Sequence, residues 1–254
     1  MPREVVSMDA IVSMRDISLR YHSISGETPA VSHLDLSVEP GEFISIVGPS
    51  GCGKSTILSM LAGQLSPSEG SLNVAGNIGY MLQKDHLLHW RNIRSNALLG
   101  LEIQNHLTPE NTAYVDLLLH QYGLGDFTEH YPWQLSGGMR QRAALIRTLA
   151  IHPDILLLDE PFSALDYQTR LSVSDEIGSI IRKEKKTAIL VTHDISEAIS
   201  LADRVVVLTK RPATVKKIFP IRLSVDICTP MKAREAPEFK DYFNAIWKEL
   251  DVHV

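Results

Sequence analysis

The chain is short of cysteine, of long apolar runs and of positive charge, and each shortage excludes something. Only two cysteines, Cys52 and Cys228, occur in 254 residues. They form no disulfide or metal-ligand pattern, which suits a reducing compartment. No stretch of about 18 or more apolar residues exists, so no membrane-spanning helix is predicted and any membrane role comes through partners. The opening MPREVVSMDA lacks the apolar segment of a secretory signal. Lys and Arg number 25 against 30 Asp and Glu, a formal net charge of -5. No broad positive field is available to hold nucleic acid, and none is expected as a partner. Repeats and low-complexity tracts are also missing.

What is present reads as strands alternating with helices. IVSMRDISLRY (11–21) and HLDLSVEPGE (33–42) alternate like strands, with SISGETPA (23–30) as the loop of a hairpin. Phe43 to Val47 is an apolar run, and STILSMLAGQL (55–65) has helical periodicity. Residues 92–131 read as helices without strands, and GGMRQRAALIRTLAI (137–151) as an amphipathic helix. DILLLDEP, TAILVTHD and RVVVLTK read as buried strands separated by helices. The pattern predicts an α/β fold: a mostly parallel sheet flanked by helices, with an N-terminal antiparallel β-subdomain and a helical subdomain inserted over 84–150. We expect one domain over 1–254, with 211–254 as a C-terminal extension. Its helix carries Phe239, Phe243, Ile246 and Leu250 on one stripe that packs on the core.

The chemistry begins at Gly48-Pro49-Ser50-Gly51-Cys52-Gly53-Lys54-Ser55-Thr56, a complete G-x-x-x-x-G-K-[ST] between a strand and a helix. Such glycines let backbone N–H groups turn inward around phosphate oxygens, and the following helix adds its positive end. Lys54 reaches the β- and γ-phosphates and the Ser55 hydroxyl holds Mg²⁺. Cys52 sits in a spacer position, with no base or acid beside it in sequence, and reads as a small residue that the loop tolerates. Ile155 to Leu158 ends in Asp159 and Glu160. Two acids closing a buried strand are costly unless a cation offsets them. Asp159 therefore reads as a Mg²⁺ ligand and Glu160 as the group that polarises the attacking water. His193 and Gln83 each follow an apolar strand and mean little alone. Ser136, Gly137 and Gly138 open a helix, forming a second anion-binding N-terminus. One chain with one lysine-bearing loop has no evident use for it, whereas a head-to-tail dimer does.

In combination these motifs resemble the ATP-binding subunits of ABC transporters over nearly the whole chain. The resemblance implies ATP and Mg²⁺ as ligands. It makes the glycine loop Walker A, Ile155–Asp159 with Glu160 Walker B and the catalytic glutamate, and Leu135 to Gln141 the signature. It makes Gln83 the glutamine that senses Mg²⁺ and the γ-phosphate, Ser163 to Asp166 the D-loop, His193 the switch histidine, and Tyr21 the aromatic that stacks on adenine. YPWQLSGGMRQR and EPFSALDYQTR resemble bacterial importers. LLHWRNIRSNALLGLEI and KRPATVKKI resemble the nitrate, sulfonate and taurine branch, from which His89 and Ala213 depart (proline and glycine are usual there). The implied partners are integral-membrane permease subunits, a second copy or paralogue, and indirectly a solute-binding protein, at the cytoplasmic face of the cell membrane. The segment Gln83 to Arg91, with its apolar LLHW, is where permease loops are expected. Two other readings compete: a soluble ABC-type ATPase acting on nucleic acid or ribosomes, and a regulatory ATP binder. The first usually carries two cassettes or a long coiled-coil insertion, which this chain lacks. The intact Glu160 and His193 argue against the second.

Overall fold

The computed structural model describes residues 10–23, 26–225 and 230–250. Cys228, the segment before residue 10 and two residues of the expected 23–30 loop lie outside them. The main sheet has six strands: β3 (Phe43–Val47), β5 (Ile78–Met81), β6 (Ile155–Asp159), β7 (Thr187–Val191), β8 (Arg204–Leu208) and β9 (Val215–Pro220). Their spatial order is β5-β6-β7-β3-β8-β9. The first five run parallel, and β9 adds antiparallel at the edge.

Continuous apolar runs form these strands because both faces are covered. Ile44, Ile46, Ile155, Leu157, Ile189 and Val191 face one apolar cluster, shared with the N-terminal sheet and α1 (Lys54–Leu61). Phe43, Val47, Leu156, Leu158, Ala188 and Leu190 face the other. That second cluster holds α2 (Ile93–Ile103), α3 (Pro109–Gln121), α4 (Gly137–Leu149), α5 (Tyr167–Lys183) and α6 (Ile195–Leu201). Each fully buried Leu or Ile contributes about 1.5–3 kcal/mol, so the sheet is clamped from both sides and its strand ends are fixed in space.

The N-terminal sheet is antiparallel, β2-β1-β4, from β1 (Val12–Ser23), β2 (Gly26–Val38) and β4 (Glu69–Val74). The expected loop over 23–30 is corrected here: β2 begins at Gly26, with Thr28 opposite Tyr21 and Pro29 opposite Arg20. Turn-like residues are drawn into the ladder by cross-strand pairing, which the Arg20–Glu27 ion pair joins. The C-terminal residues are tied to the core. Short α7 (Pro230–Ala233) precedes α8 (Phe239–Leu250). Ile246 is fully buried, and Phe239, Phe243 and Leu250 pack beside it.

Candidate nucleotide site

Four strand ends, those of β3, β5, β6 and β7, build the site. β3 delivers the loop from Gly48 to Gly53, and α1 starts at Lys54. Glycine is required at two of these positions. Gly53 has φ 129° and an added Cβ there would lie 2.9 Å from the Ala30 carbonyl. At Gly48 a Cβ would meet Cys52 Sγ at 2.9 Å and Leu208 Cβ at 3.1 Å. The backbone is thus pressed against its surroundings, and a side chain at Gly53 would add strain of order 1–3 kcal/mol. Cys52 is buried, and burial pushes its thiol above the ordinary range. That makes it a packing group and not a nucleophile.

Lys54 is only 7% exposed, and its ammonium donates to the carbonyls of Gly48 at 2.8 Å and Pro49 at 3.1 Å. Ser55 Oγ lies 3.4 Å from Asp159 Oδ1 at the end of β6. Burial raises the Asp159 carboxyl above its ordinary value, with the Glu160 charge adding to the rise and Ser55 opposing it. Behind it, burial and the Asp159 charge push the Tyr80 phenol up to about 12, so Tyr80 stays protonated as a donor. Tyr21, 40% exposed, reaches from β1 to Thr56 Oγ1 at 3.1 Å.

Glu160 leaves β6 in the left-handed region at φ 44°, with its N–H donating to Val191 and its carbonyl accepting from Ser163. Its carboxylate receives His193 Nδ1 at 3.1 Å and Gln83 Nε2 at 3.4 Å. Side chains from the ends of β5, β6 and β7 therefore meet on one carboxylate, held by an unusual backbone conformation of the kind that clusters at functional sites. A cleft of about 320 Å³ runs past Tyr21, Ser50, Gly51, Gly53 to Thr56, and Glu160. Arg211 also lines it, its Nε donating to the Pro29 carbonyl at 3.1 Å. Sequence reasoning missed this residue, since its place depends on the chain returning after β8. Ala213 is the visible sign of that return, bonded through its N–H and C=O to Ala30 and Ser32.

The structure does not bring Ser136, Gly137 and Gly138 into this cleft. Ser136 caps α4 by accepting from Met139 N, and Gly137 lines a separate cleft with Arg140, Trp133 and Leu165. Arg140 and Arg147 tie that helix to the segment after Gln83. The first pairs with the Asp85 carboxylate at 3.0 Å, and the second donates to the carbonyls of Asp85 and His86.

Residues 31–163 match the family model described as ABC transporter. The chain belongs to that family. It is an ABC-type ATPase. The uncharacterised ABC transporter ATP-binding protein YtlC of Bacillus subtilis is 48% identical over 91% of this chain and 92% of its own length. The nitrate import ATP-binding protein NrtD of Synechocystis is 36% identical over 92% and 93%. Among solved structures, the ATP-binding cassette MJ0796, a dimer in a post-hydrolysis state bound to ADP and Pi, superposes with a TM-score of 0.71. It is 28% identical and covers 83% of this chain and 99% of its own.

Proposed function

We propose that this ABC ATPase powers the import of a small solute of the nitrate, sulfonate or taurine class through a separate permease. In this reading it works as a head-to-tail pair at the inner face of the cell membrane, and a solute-binding protein supplies the cargo indirectly. The observation that carries the reading is the meeting of Gln83, Glu160 and His193 beside a phosphate loop, in a chain whose Ser136–Gly138 helix end faces elsewhere. The relation to a nitrate import subunit supports the branch. Among the described residues no helix is long and apolar enough to cross a membrane.

Mg²⁺ fits the residues present. Ser55 and Asp159 offer two hard oxygens 3.4 Å apart, and burial already penalises the carboxylate charge that a cation would offset. Among the described residues no cluster of three or more His, Cys, Asp or Glu forms a complete cage. This is the donor set of an ion completed by substrate phosphates. When bound it neutralises phosphate charge.

The protein's own groups then have distinct tasks. Backbone N–H groups of Gly51 to Ser55 cradle the phosphates, and Lys54 exchanges its two carbonyl partners for β- and γ-oxygens. Tyr21 and Arg211 flank the mouth, where they receive the base and the sugar-phosphate portion. Glu160 orients the attacking water and accepts its proton, while His193 steadies both Glu160 and the γ-phosphate. Ser136, Gly137 and Gly138 close the other copy's site. Near-complete closure requires about 5.5 kcal/mol of differential binding, a scale that contacts to two nucleotides reach together.

The expected permease contact is narrower than the apolar LLHW suggested. Leu87 is core, whereas Trp90 is 74% exposed. Co-expression with a permease of the nitrate, sulfonate or taurine class should co-purify a multi-spanning membrane protein. Trp90→Ala should reduce that yield several-fold while the melting temperature holds. A chain that never retains a membrane protein, or a Trp90→Ala variant that retains it fully, contradicts the respective assignment.

A further inference from the structure

Arg170 stands in the first turn of α5 and reaches two loops at once. One terminal nitrogen donates to the Leu165 carbonyl at 3.1 Å. The other lies 3.8 Å from an Asp194 oxygen, and Nε lies 4.0 Å from Glu197 Oε1. Those two carboxylates frame His193. Asp194 caps α6 by accepting from the N–H groups of Ser196 and Glu197. Glu197 accepts the Thr192 hydroxyl at 2.6 Å, and that hydroxyl oxygen accepts Asp194 N at 3.0 Å. The turn Thr192-His193-Asp194 is therefore gripped from both sides by acids that share one guanidinium.

Neither capping nor packing requires this arrangement. Asp194 already satisfies the helix end, yet a second carboxylate, Glu197, is kept 5% exposed. Burying it costs several kcal/mol unless it is paired. Burial pushes its carboxyl up to about 7, the Thr192 bond and the Arg170 charge acting in the opposite direction. Arg170 Nε is itself buried without a hydrogen-bond partner, about 1 Å beyond bonding range of Glu197. Fold stability alone gives no reason to keep so costly a pair incompletely joined.

Through Leu165, Arg170 is connected to the start of α4. Leu165 sits against Gly137, where an added Cβ would be 2.9 Å from Leu165 Cδ2, and both line one cleft. We propose that Arg170 is a positioning residue for His193, linking the Gly137–Leu165 contact to the turn that sets the His193–Glu160 bond. Within a pair of chains, the helix end that grips one nucleotide is thereby tied to the histidine at the other. The inference rests on the head-to-tail reading above.

The test is the ATP dependence of hydrolysis by full-length wild type, Arg170→Gln, Arg170→Lys and Glu197→Gln, with melting temperatures recorded. Arg170→Gln is expected to lower kcat about tenfold with KM for ATP within about twofold of wild type. Arg170→Lys, which keeps the charge but loses the fork, should recover about threefold. Single-turnover rates of His193→Ala with and without Arg170→Gln should agree within about twofold, since a residue acting through His193 has nothing left to position. Should Arg170→Gln fail to fold, near-isosteric Glu197→Gln serves in its place, with kcat reduced about threefold. Full additivity in the His193→Ala background, or an unchanged kcat in the folded variants, overturns the inference alone. A wild-type chain with no ATPase activity and no ATP-dependent pairing overturns the functional reading on which it rests, and this inference with it.

Discussion

Lys54 shows how the site manages a charge before substrate arrives. A buried ammonium without partners would be costly, and the Gly48 and Pro49 carbonyls supply those partners from the loop itself. Phosphate oxygens offer the same geometry with full negative charge, so the exchange is favourable. Arg211 is fixed differently, by the Pro29 carbonyl at the rim of the cleft. Arg211→Ala should raise KM for ATP by about tenfold, the scale of one charge-assisted hydrogen bond, while leaving kcat near wild type. An unchanged KM would remove it from the nucleotide site. Glu197 makes a pH prediction. Its carboxyl is raised in the folded chain from its ordinary 4.5 to about 7. The folded state therefore holds a proton that the unfolded state has released, and stability falls as pH rises between these values, with the full penalty present above about 7. Glu197→Gln carries no such penalty. Its melting temperature relative to wild type should climb as pH rises through that window, and a pH-independent difference would show that the carboxylate is not strained by burial.

At the level of elements, the legible features were those whose cause is local. The loop from Gly48 to Thr56, the buried strands and the helices from α2 to α6 follow from glycine spacing, apolar runs and 3.6-residue periodicity. The features that escaped depend on distant partners. β4, with its exposed Glu69 and Ser71, becomes a strand only because β1 offers it a ladder. β9 interleaves Lys216 and Lys217 into an edge position and is held by pairing with β8. β2 extended through Pro29 for the same reason. The LLHW run illustrates a subtler limit, since sequence gives no means of telling that Leu87 turns inward while Trp90 turns outward. Arg170 and Arg211 were invisible as site residues because each joins elements far apart in the chain. Ala213, a departure from the branch's usual glycine, is fully buried with a bridge to Val31 and has no positive φ, so alanine fits there without strain.

At the scale of the whole molecule, the cleft holding Lys54, Glu160 and Arg211 and the cleft holding Gly137 and Arg140 are separate. In the proposed reading, each copy carries one complete loop and one unused grip, and two copies complete each other around ATP. The Asp85–Arg140 pair ties α4 to the segment after Gln83, and Arg170 donates to the Leu165 carbonyl. The most direct test uses Glu160→Gln, which keeps the shape of the site and its hydrogen bonds but removes the base. With MgATP this variant should bind nucleotide as wild type does and turn over at least about a hundredfold more slowly. It should also elute as a stable dimer in size-exclusion chromatography with light scattering. A variant that hydrolyses at the wild-type rate, or stays monomeric with nucleotide bound, would contradict the account.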